Sequence, residues 1–373
     1  MNILILNWKD IKNPDRGGAE VIAHEFSRRL VTEGHTVTFF SRRFPNCKTI
    51  ESIDGVRIVR KGNLLSVYLH AWFYYLRLKT KPDRVIDMVN TICWQTPLYV
   101  PKKNRIMYVN QLAKEVFFYE LPWFLSWFAY LLERFEYLSY KNTKILCYSK
   151  STRQDLSAWG MSAKNIHLFS MGLDHQRYSP SFIKSKDPLF FFLARLVKMK
   201  RADLCIQAMQ ELIKKYPKAK LIIMGNGPDE NRIRSLVNDL ALEKNVEFIT
   251  HNNFFKDKTN KDIRISLLQQ SWALVLPSVK EGWGMVVTEA AACGTPAIVS
   301  NVTGLRDSVV DKKTGLILPK DPTPQELAAS MIQVIKDNDL REKLSKEAIK
   351  WSKNFTWDKS YEGFKKILLT NTV

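Results

Sequence analysis

The chain has 373 residues, which is enough for two domains of ordinary size. Its 45% hydrophobic and 25% charged residues are typical of a globular protein and exclude a disordered or collagen-like chain. The formal net charge of +20 is spread over both halves, so it favours anionic partners such as nucleotides, phospholipids or nucleic acid without choosing among them.

The cysteines and the start of the chain bear on the cellular compartment. The five cysteines lie far apart and form no C-x-x-C pair, which predicts buried, reduced thiols and neither a disulfide framework nor a zinc site. The first residues, MNILILNWKD, lack a basic stretch followed by a long apolar run, so no secretory signal is expected. Both features predict a cytoplasmic protein.

Apolar runs typical of strands alternate with helical stretches through the first half. ILILN at 3–7 precedes a glycine turn, a helix near 18–33 and the strand HTVTFF at 35–40. Further strands are predicted at RVIDMV, RIMYV, KILCYS and IHLFS. Such alternation predicts a parallel sheet with helices on both faces.

A polar stretch at 174–188, DHQRYSPSFIKSKDP, indicates a linker, after which the alternation restarts. Strands are predicted at PLFFFLA, KLIIMGNG, VEFIT, WALVLP and PAIVS, with helices over 201–215, 229–241 and 285–293 and three more within 324–370. The pattern predicts two doubly wound α/β domains, with ligands at the carboxyl ends of the strands.

The stretch KEGWGMVVTEAAACGTPAIVS at 280–300 places two glutamates around glycines. A helix is predicted to begin near Met285, because Gly-Trp-Gly propagates a helix poorly. Glu281 would then lie above the helix N-terminus, while Glu289, one turn inside, would tilt back toward it. The backbone N–H groups of Gly284, Met285 and Val286 would form an anion site between the two carboxylates.

This stretch resembles the Glu–seven residues–Glu motif of the retaining glycosyltransferases of family 4. Other parts of the chain resemble the same family in its order: LNWKDIKNPDRGGAEVIAHEFSRRLVTEGHTVTFFS, YSKSTRQDL with IHLFSMGLD, and LARLVKMKR. The resemblance implies the GT-B fold, with two Rossmann-like domains facing across a cleft. It implies an acceptor domain at 1–178, a donor domain at 179–356, and a last helix, 357–373, that crosses back to the first domain.

The resemblance also implies roles for charged residues in the donor domain. Arg195 and Lys200 fall where the family binds the donor diphosphate, and a guanidinium and an ammonium suit that task. Glu281 should accept hydrogen bonds from the donor sugar, and Glu289 should hold the ribose. The alternatives are two surface cations, a carboxylate near a helix N-terminus and an ordinary helix residue.

Glycines complete the predicted donor and acceptor sites. Gly17 and Gly18, after the first strand, would let the backbone approach a ligand phosphate, although a tight turn is the simpler explanation. Gly225 and Gly227 end a strand and resemble the family's glycine turn beside the donor. The remaining residues predicted to contact the nucleotide sugar are those of the loop and helix start at Gly282, Trp283, Gly284, Met285 and Val286. The base of the nucleotide is expected to bind near Thr250-His251-Asn252, and no motif there indicates which base it is.

One departure from the family concerns a histidine that many members place near the reacting sugar. Here the corresponding stretch is RIMYVNQLAKEVFFYE, with Asn110 at that place. An amide can hydrogen-bond a sugar hydroxyl but cannot shuttle a proton at neutral pH. Asn110 therefore enters the predicted site as a residue that either replaces the histidine or weakens turnover.

No cofactor and no metal are predicted. In the family, retaining chemistry is described without a protein nucleophile, the leaving phosphate taking the acceptor's proton. The one D-x-D sequence, Asp337-Asn338-Asp339, is predicted to be a helix N-cap with an acidic first turn.

The stretch 116–138, VFFYELPWFLSWFAYLLERFEYL, is unusually aromatic. A stripe with 3–4 spacing is predicted to pack in the core, namely Phe117, Leu121, Phe124, Phe128, Leu131, Phe135 and Leu138. The remaining row of Trp123, Trp127, Tyr130 and Tyr137 could rest on anionic headgroups at the inner face of a membrane, or it could be buried.

The resemblance thus implies a retaining, metal-independent hexosyltransferase that uses a UDP- or GDP-sugar and a glycan or lipid-linked acceptor in polysaccharide or glycolipid biosynthesis. A second class, an epimerase or phosphorylase acting on sugar phosphates, shares the fold. A nucleic-acid-binding protein is indicated by charge alone, and no helix-turn-helix, RRM or zinc motif supports it.

Overall fold

A computed structural model describes residues 1–249 and 262–370, and it divides the chain into two compact units. The first unit comprises Met1–Lys114, Phe124–Gly172 and the chain from Asp358 onward. The second comprises Glu115–Trp123 and Leu173–Trp357. A short segment from the first half of the chain, Glu115–Trp123, therefore packs with the second unit.

The first unit is built on an eight-stranded sheet in the order β3-β4-β2-β1-β5-β6-β7-β8. Its strands are β1 (Asn2–Leu6), β2 (Thr36–Ser41), β3 (Ile50–Ile53), β4 (Val56–Arg60), β5 (Arg84–Val89), β6 (Arg105–Val109), β7 (Lys144–Cys147) and β8 (Ile166–Leu168). Every pairing is parallel except that of β3 with β4. The strand order reverses between β1 and β5.

Helices cover this sheet. The helices that precede the second sheet in the chain are α1 (Gly18–Thr32), α2 (Val67–Arg77), α3 (Val116–Glu120), α4 (Trp123–Leu138) and α5 (Lys150–Ala158). Of these, α3 belongs to the second unit. The sequence pattern predicted most strands of this unit but not β3, β4 or α2, because 42–83 carries short apolar runs mixed with aromatic and basic residues.

The second unit holds a six-stranded parallel sheet in the order β11-β10-β9-β12-β13-β14. Its strands are β9 (Leu189–Leu193), β10 (Lys220–Met224), β11 (Val246–Ile249), β12 (Ala273–Leu276), β13 (Ala297–Ser300) and β14 (Gly315–Leu318). This order reverses between β9 and β12, which is where doubly wound sheets bind ligands at their carboxyl edge.

The described helices of the second half are α6 (Ala202–Ile213), α7 (Glu230–Asp239), α8 (Ile263–Gln270), α9 (Met285–Ala292), α10 (Leu305–Ser308), α11 (Pro324–Lys336), α12 (Asn338–Ser352) and α13 (Trp357–Leu369). The sequence pattern predicted all of these to within a few residues except the short helices α8 and α10. Asp337 caps α12 by accepting the N–H of Leu340 at 2.8 Å, which confirms the predicted structural role of the Asp-Asn-Asp stretch.

The buried face of α4 is the opposite of the predicted one. The part of the predicted core stripe that lies in α4 is exposed, with Phe128 at 65% and Phe135 at 68%, whereas Tyr137 is fully buried. Glu133 is 2% exposed because its carboxylate accepts the backbone N–H groups of Ala113 and Lys114 at 2.6 and 2.9 Å. This pair of charge-assisted hydrogen bonds fixes which face of the helix points inward.

Tyr130 also departs from the row predicted to meet lipid. Its ring packs on the core of the first unit and makes an edge-on contact with Trp159 at a centroid distance of 6.0 Å. Trp123 and Trp127, in contrast, are 76% and 55% exposed.

Candidate active site

The carboxyl ends of β9 and β12 bring Lys200 and Glu281 together. The Lys200 ammonium donates to Glu281 Oε1 at 2.5 Å, and the two side chains are only 13% and 14% exposed. Ser278 Oγ donates to the same carboxylate oxygen at 3.0 Å. An ion pair thus joins the two loops that leave adjacent strands at the reversal of strand order. The roles predicted for the two residues in donor binding stay predictions.

Arg195 lies on the same edge but outside this pair. It is exposed, and in the part of the chain that the structure describes its side chain makes no hydrogen bond or ion pair. The guanidinium is therefore presented to solvent at the end of β9, where it is free to meet an anion.

The predicted glycine turn lies directly against the loop of Arg195. A Cβ on Gly225 would stand 1.9 Å from the carbonyl oxygen of Ala194, and one on Gly227 would stand 2.2 Å from that of Leu196. The N–H of Leu196 also donates to the carbonyl of Asn226 at 2.8 Å. These glycines allow the two backbones to touch, and contact with a ligand remains a prediction.

The start of α9 is built as the motif predicted. Gly284 caps the helix in the left-handed region at φ 83°, and a Cβ there would stand 2.7 Å from Leu305. Met285 and Val286 form the first turn, whose N–H groups have no partner within the helix. Gly282, before them, is buried.

Trp283 is buried in this loop, with 7% of its surface exposed. Its ring meets Phe355 edge-on at 5.2 Å. The indole Nε1 is buried and has no hydrogen-bond partner among the described residues. The side chain therefore anchors the loop through apolar packing rather than through a hydrogen bond.

Glu289 lies in different surroundings from Glu281. Burial raises the pKa of Tyr178, and the nearby Glu289 carboxylate, which accepts a hydrogen bond from the phenol, raises it further. The guanidinium of Arg264 lies 5.4 Å from the centre of the same ring. The two glutamates of the motif thus have separate partners, lysine and serine for one and tyrosine for the other.

In the first unit, Gly17 and Gly18 begin α1. Gly17 has extended backbone angles, and its N–H donates to the carboxylate of Glu20 at 2.6 Å. An added Cβ would meet that carboxylate at an ordinary 3.6 Å, so neither conformation nor space requires glycine here. Binding of a phosphate by these glycines stays a prediction, and Glu20 is the group it would have to displace.

Asn110 follows β6 and is 4% exposed. The hydroxyl of Tyr148 donates to its Oδ1 at 3.2 Å, and its Nδ2 donates to the carbonyl of Val89 at 3.4 Å. Both ends of the amide are engaged in the framework of the first unit, which gives the residue a structural role apart from any catalytic one.

Three charged residues beside the Lys200–Glu281 pair were missed by the sequence reasoning. Lys280 is 2% exposed at its side chain, and its ammonium lies 3.3 Å from Glu115. Glu120 accepts the N–H of Met199 at 2.9 Å. The only signal in the sequence was the position of Lys280 next to the first motif glutamate, because contacts 79 and 165 residues apart leave no local pattern.

The remaining sequence predictions concern the nucleotide base, metal ions and the membrane. Thr250, His251 and Asn252 lie outside the described residues. Across residues 1–249 and 262–370, no group of three or more His, Cys, Asp or Glu side chains is placed to hold a metal ion. Over the same residues, no helix has the length and apolar character needed to cross a membrane.

Comparison with known proteins matches two family models to this chain. The model described as glycosyl transferases group 1 matches residues 176–351, and that described as glycosyltransferase family 4 matches residues 16–177. An uncharacterized glycosyltransferase of Methanocaldococcus jannaschii is 23% identical over 387 aligned positions, which cover 96% of this chain and 95% of that protein.

Solved structures resemble the whole chain. Sucrose-phosphate synthase from Thermosynechococcus elongatus superposes with a TM-score of 0.80 at 19% identity, covering 98% of both chains. HepE of Anabaena, solved in complex with UDP and glucose, superposes with a TM-score of 0.76 at 15% identity, covering 99% of both chains. At these identities the similarity concerns the fold.

Proposed function

This chain belongs to the glycosyl transferases group 1 family and has the GT-B fold, and we propose that it moves a hexose from a nucleotide sugar to an acceptor with retention of anomeric configuration. The donor is a UDP- or GDP-sugar, and the acceptor is a glycan or a lipid-linked glycan in polysaccharide or glycolipid assembly. The observation that carries the proposal is the Lys200–Glu281 ion pair at the reversal point of the second sheet.

The cations of this edge fit the electrostatics of breaking a sugar–phosphate bond. Negative charge builds up on the diphosphate as it leaves, and fixed cations in a partly desolvated site stabilise that charge. Lys200 supplies an ammonium held by Glu281, and Arg195 supplies a guanidinium that can bind phosphate oxygens in pairs. The N–H groups of Met285 and Val286 would add hydrogen bonds to the same phosphates.

The carboxylates are assigned to hydroxyl groups of the donor. One oxygen of Glu281 is occupied by Lys200 and Ser278, which orients the group and leaves its other oxygen as an acceptor for a hexose hydroxyl. Glu289 would accept from the ribose, and Tyr178 would hold its carboxylate in place. Anabaena HepE was solved with UDP and glucose, so UDP-glucose is the first donor to test.

The first experiment identifies the donor and then follows transfer. A thermal-shift panel of UDP-, GDP- and ADP-sugars selects the donor, and release of labelled sugar is then measured with and without a glycan acceptor. We expect one nucleotide class to stabilise the protein and the acceptor to accelerate sugar release. The product's anomeric configuration, read by NMR, should equal that of the donor. An inverted product would overturn the retaining mechanism.

We further propose that the reaction needs no metal ion or cofactor, because Arg195 and Lys200 provide the positive charge that a bound cation would otherwise supply. EDTA should leave the transfer rate unchanged. Loss of activity with EDTA and its recovery with Mg²⁺ or Mn²⁺ would contradict this.

The acceptor side is proposed to work at the inner face of a membrane, with the protein in the cytoplasm. All five cysteines are unpaired, as in a reducing compartment. Helix α4 exposes large apolar side chains, including Trp127 and Phe128 at 55% and 65%, in a protein of net charge +20. Aromatic residues and a positive field together favour anionic headgroups. Because Tyr130 packs inward, the contact would rely on Trp123, Trp127 and the exposed phenylalanines instead.

Flotation with vesicles tests this contact. The wild-type protein should float with anionic vesicles at physiological salt, and Trp127→Ser combined with Phe128→Ser should stay at the bottom of the gradient. Phe182→Ser is the matched control, because Phe182 is 67% exposed and belongs to the second unit. Equal flotation of all three proteins, or none, would remove the proposed surface.

A further inference from the structure

Tyr178 lies in the polar stretch that the sequence marked as a linker, yet it is only 5% exposed. Its backbone N–H donates to the carbonyl of Asp174 at 2.9 Å, which closes a turn. Its hydroxyl donates to the carboxylate of Glu289 in α9. The first residues of the segment Leu173–Trp357 thus reach the glutamate that we assign to the ribose.

Two guanidinium groups lie over the ring of Tyr178. The central carbon of Arg264 is 5.4 Å from the ring centre, and that of Arg177 is 5.8 Å from it. A cation at such a distance from the face of an aromatic ring is attracted to its π electrons. The two arginines therefore fix the ring, and with it the direction in which the hydroxyl points.

Asp262 connects both arginines to the start of α8. One oxygen of its carboxylate caps this helix by accepting the N–H of Arg264 at 3.1 Å. The other oxygen accepts a hydrogen bond from Arg177 at 2.7 Å and lies 3.7 Å from the guanidinium of Arg264. The tyrosine, the two arginines and the start of α8 thus form one connected group within the second unit.

Arg264 carries its positive charge in a partly desolvated place, where 24% of its side chain is exposed. Burial opposes this charge, yet the pKa of the guanidinium is raised above its ordinary value because Glu289, Tyr178 and Asp262 stabilise it. Among these partners Glu289 has the largest effect. A fixed cation therefore lies near the carboxylate that is assigned to the ribose.

This arrangement prepares Glu289 for hydroxyl groups. An ionised carboxylate only accepts hydrogen bonds, and it can accept more than one. The phenol of Tyr178 uses one acceptor position, and the nearby guanidinium of Arg264 holds the charge in place. A group that is ordered before its ligand arrives loses less conformational freedom on binding, so it binds more tightly.

From these contacts we infer that Arg264 is a positioning residue for the ribose of the donor. Acting through Tyr178, it holds the Glu289 carboxylate in the orientation that accepts ribose hydroxyl groups, and it thereby sets the preference for nucleotides that carry them. This inference rests on the proposed function, because it assigns a selectivity to that function's donor site. Neither Arg264 nor Tyr178 belongs to the motifs quoted from the sequence.

Titration calorimetry tests this role by comparing a nucleotide with an analogue that lacks both ribose hydroxyl groups. UDP and GDP identify the preferred nucleotide, and its 2′,3′-dideoxy form should bind the wild type more weakly by about tenfold or more. Arg264→Gln and Tyr178→Phe should each weaken binding of the ribonucleotide by about three- to tenfold and leave the affinity for the dideoxy form within about twofold of the wild type. Their preference for the ribonucleotide should therefore fall to about a third of the wild-type value or less.

Two further variants serve as controls. Arg264→Lys keeps a cation over the ring of Tyr178, so it should retain more of the wild-type preference than Arg264→Gln does. Arg341→Gln removes a guanidinium that lies over Trp272 at 4.0 Å in the same unit, and it should leave both affinities within the error of the wild type.

The preference, and not the affinity alone, decides the outcome. An equal loss of affinity for both forms of the nucleotide would mean that Arg264 and Tyr178 only stabilise the fold, and it would overturn the inference. An unchanged preference in Tyr178→Phe would overturn it as well. That variant removes a single oxygen, so it decides the matter if Arg264→Gln does not fold.

Steady-state kinetics provide a second readout. The ribose is unchanged by the reaction, so contacts to it act equally on the ground state and on the transition state. In Arg264→Gln the KM for the donor should rise by the factor found for the affinity, and kcat should stay within about twofold of the wild type. A large fall in kcat at unchanged KM would place Arg264 at the reacting groups and contradict a positioning role.

Glu289→Ala separates this inference from the proposed function. Loss of the preference in Glu289→Ala, but in neither Tyr178→Phe nor Arg264→Gln, would overturn the inference and leave the donor site standing. A wild-type protein without the preference, or a Glu289→Ala variant that keeps it, would overturn the ribose role of Glu289 and the inference with it. No binding of UDP or GDP to the wild type would overturn the proposed donor site itself.

Discussion

The sequence motif located Lys200 and Glu281 singly, each beside a strand end that the apolar pattern had predicted, but it did not predict that their side chains form an ion pair. Lys280, Glu115 and Glu120 could not be found in this way. Their importance comes from contacts between distant parts of the chain, and such contacts have no period or spacing in the sequence.

Replacing either member of the ion pair should cost catalysis and leave the fold intact. Lys200→Ala and Glu281→Ala each remove a group aimed at the donor, so kcat for sugar transfer should fall by about 10²–10³. Arg195→Ala should also lower kcat strongly if its guanidinium binds the leaving diphosphate. Lys198→Ala, an exposed cation of the same turn, serves as the control and should keep near wild-type turnover. Near wild-type rates in the first three variants would contradict the assigned roles.

Asn110→His introduces the histidine that the family resemblance implies at this place, but the structure changes what we expect from it. The imidazole would have to replace an amide that is 4% exposed and hydrogen-bonded to Tyr148 and Val89. Leaving those partners unsatisfied should lower the free energy of unfolding by about 1–3 kcal/mol, with no gain in transfer rate. Urea unfolding measures the loss, and Tyr148→Phe, which removes one of the same hydrogen bonds, is the comparison. A stable and faster variant would show that Asn110 does weaken catalysis.

Helix α4 shows that the 3–4 spacing of apolar residues alone can give the wrong buried face of a helix. Both of its faces are rich in large apolar residues, so the 3–4 spacing could not decide which face is buried. The decision comes from Glu133, whose carboxylate satisfies two backbone N–H groups that would otherwise be buried without partners. A charged residue thus lies on the buried face of the helix and holds it there, although charged side chains are usually exposed to solvent.

The inverted face predicts a clear difference between two aromatic substitutions. Tyr137→Ala should lower the free energy of unfolding by about 3–5 kcal/mol, because its ring is fully buried. Phe128→Ala should change it by less than about 0.5 kcal/mol, because that ring is 65% exposed. Urea unfolding of both variants measures the difference, and the reverse ranking would restore the face predicted from the sequence.

The same helix gives the first unit a pH dependence. Burial, with the nearby charges of Glu133 and Asp87, raises the pKa of Glu136 from 4.5 to about 7. As pH rises from 4.5 through 7, the unfolded chain loses this proton more readily than the folded protein does, so the contribution of Glu136 to stability falls and levels off only once pH has passed the folded-state pKa.

Glu136→Gln isolates that contribution. The free energy of unfolding of the variant, minus that of the wild type, should increase from pH 4.5 to pH 7.5 by on the order of 1 kcal/mol, less than the full shift because the side chain is partly exposed. Gln95, which donates to Glu136 at 2.8 Å, can donate equally to the amide oxygen. A difference that stays flat or falls with pH would contradict the raised pKa.

The alternation of strands and helices along the whole sequence predicted two doubly wound sheets, and both are present. Local periodicity located strands well because buried parallel strands are continuous apolar runs. It could not place Glu115–Trp123 with the second unit, since that assignment depends on contacts with Met199 and Lys280. The order of apolar runs along the chain therefore predicts the strands of each sheet, but it does not predict the unit with which a short connecting segment packs.

The last helix, α13, is the other segment whose unit differs from that of its neighbours in the chain. From Asp358 onward it packs with the first unit, where Phe364 stacks on Phe26 at 4.5 Å. Lys144 donates to the carbonyl of Ile367 at 3.1 Å near the end of this helix. A cation at a helix C-terminus satisfies orphan carbonyls and the helix dipole. The stability of the first unit should therefore depend on residues more than 300 positions from its first strand.

Phe364→Ala tests this dependence, because the ring is 1% exposed and its removal leaves a cavity against Phe26. We expect the free energy of unfolding of the first unit to fall by about 3–5 kcal/mol, and that of the second unit to stay unchanged. Hydrogen exchange in urea reports the two separately, through amides of β6 and β10. Leu369→Ala, at a position 41% exposed on the same helix, should leave both protected. Equal loss of protection in β6 and β10 would show that the two units unfold together, and no loss in β6 would mean that α13 contributes little to the first sheet.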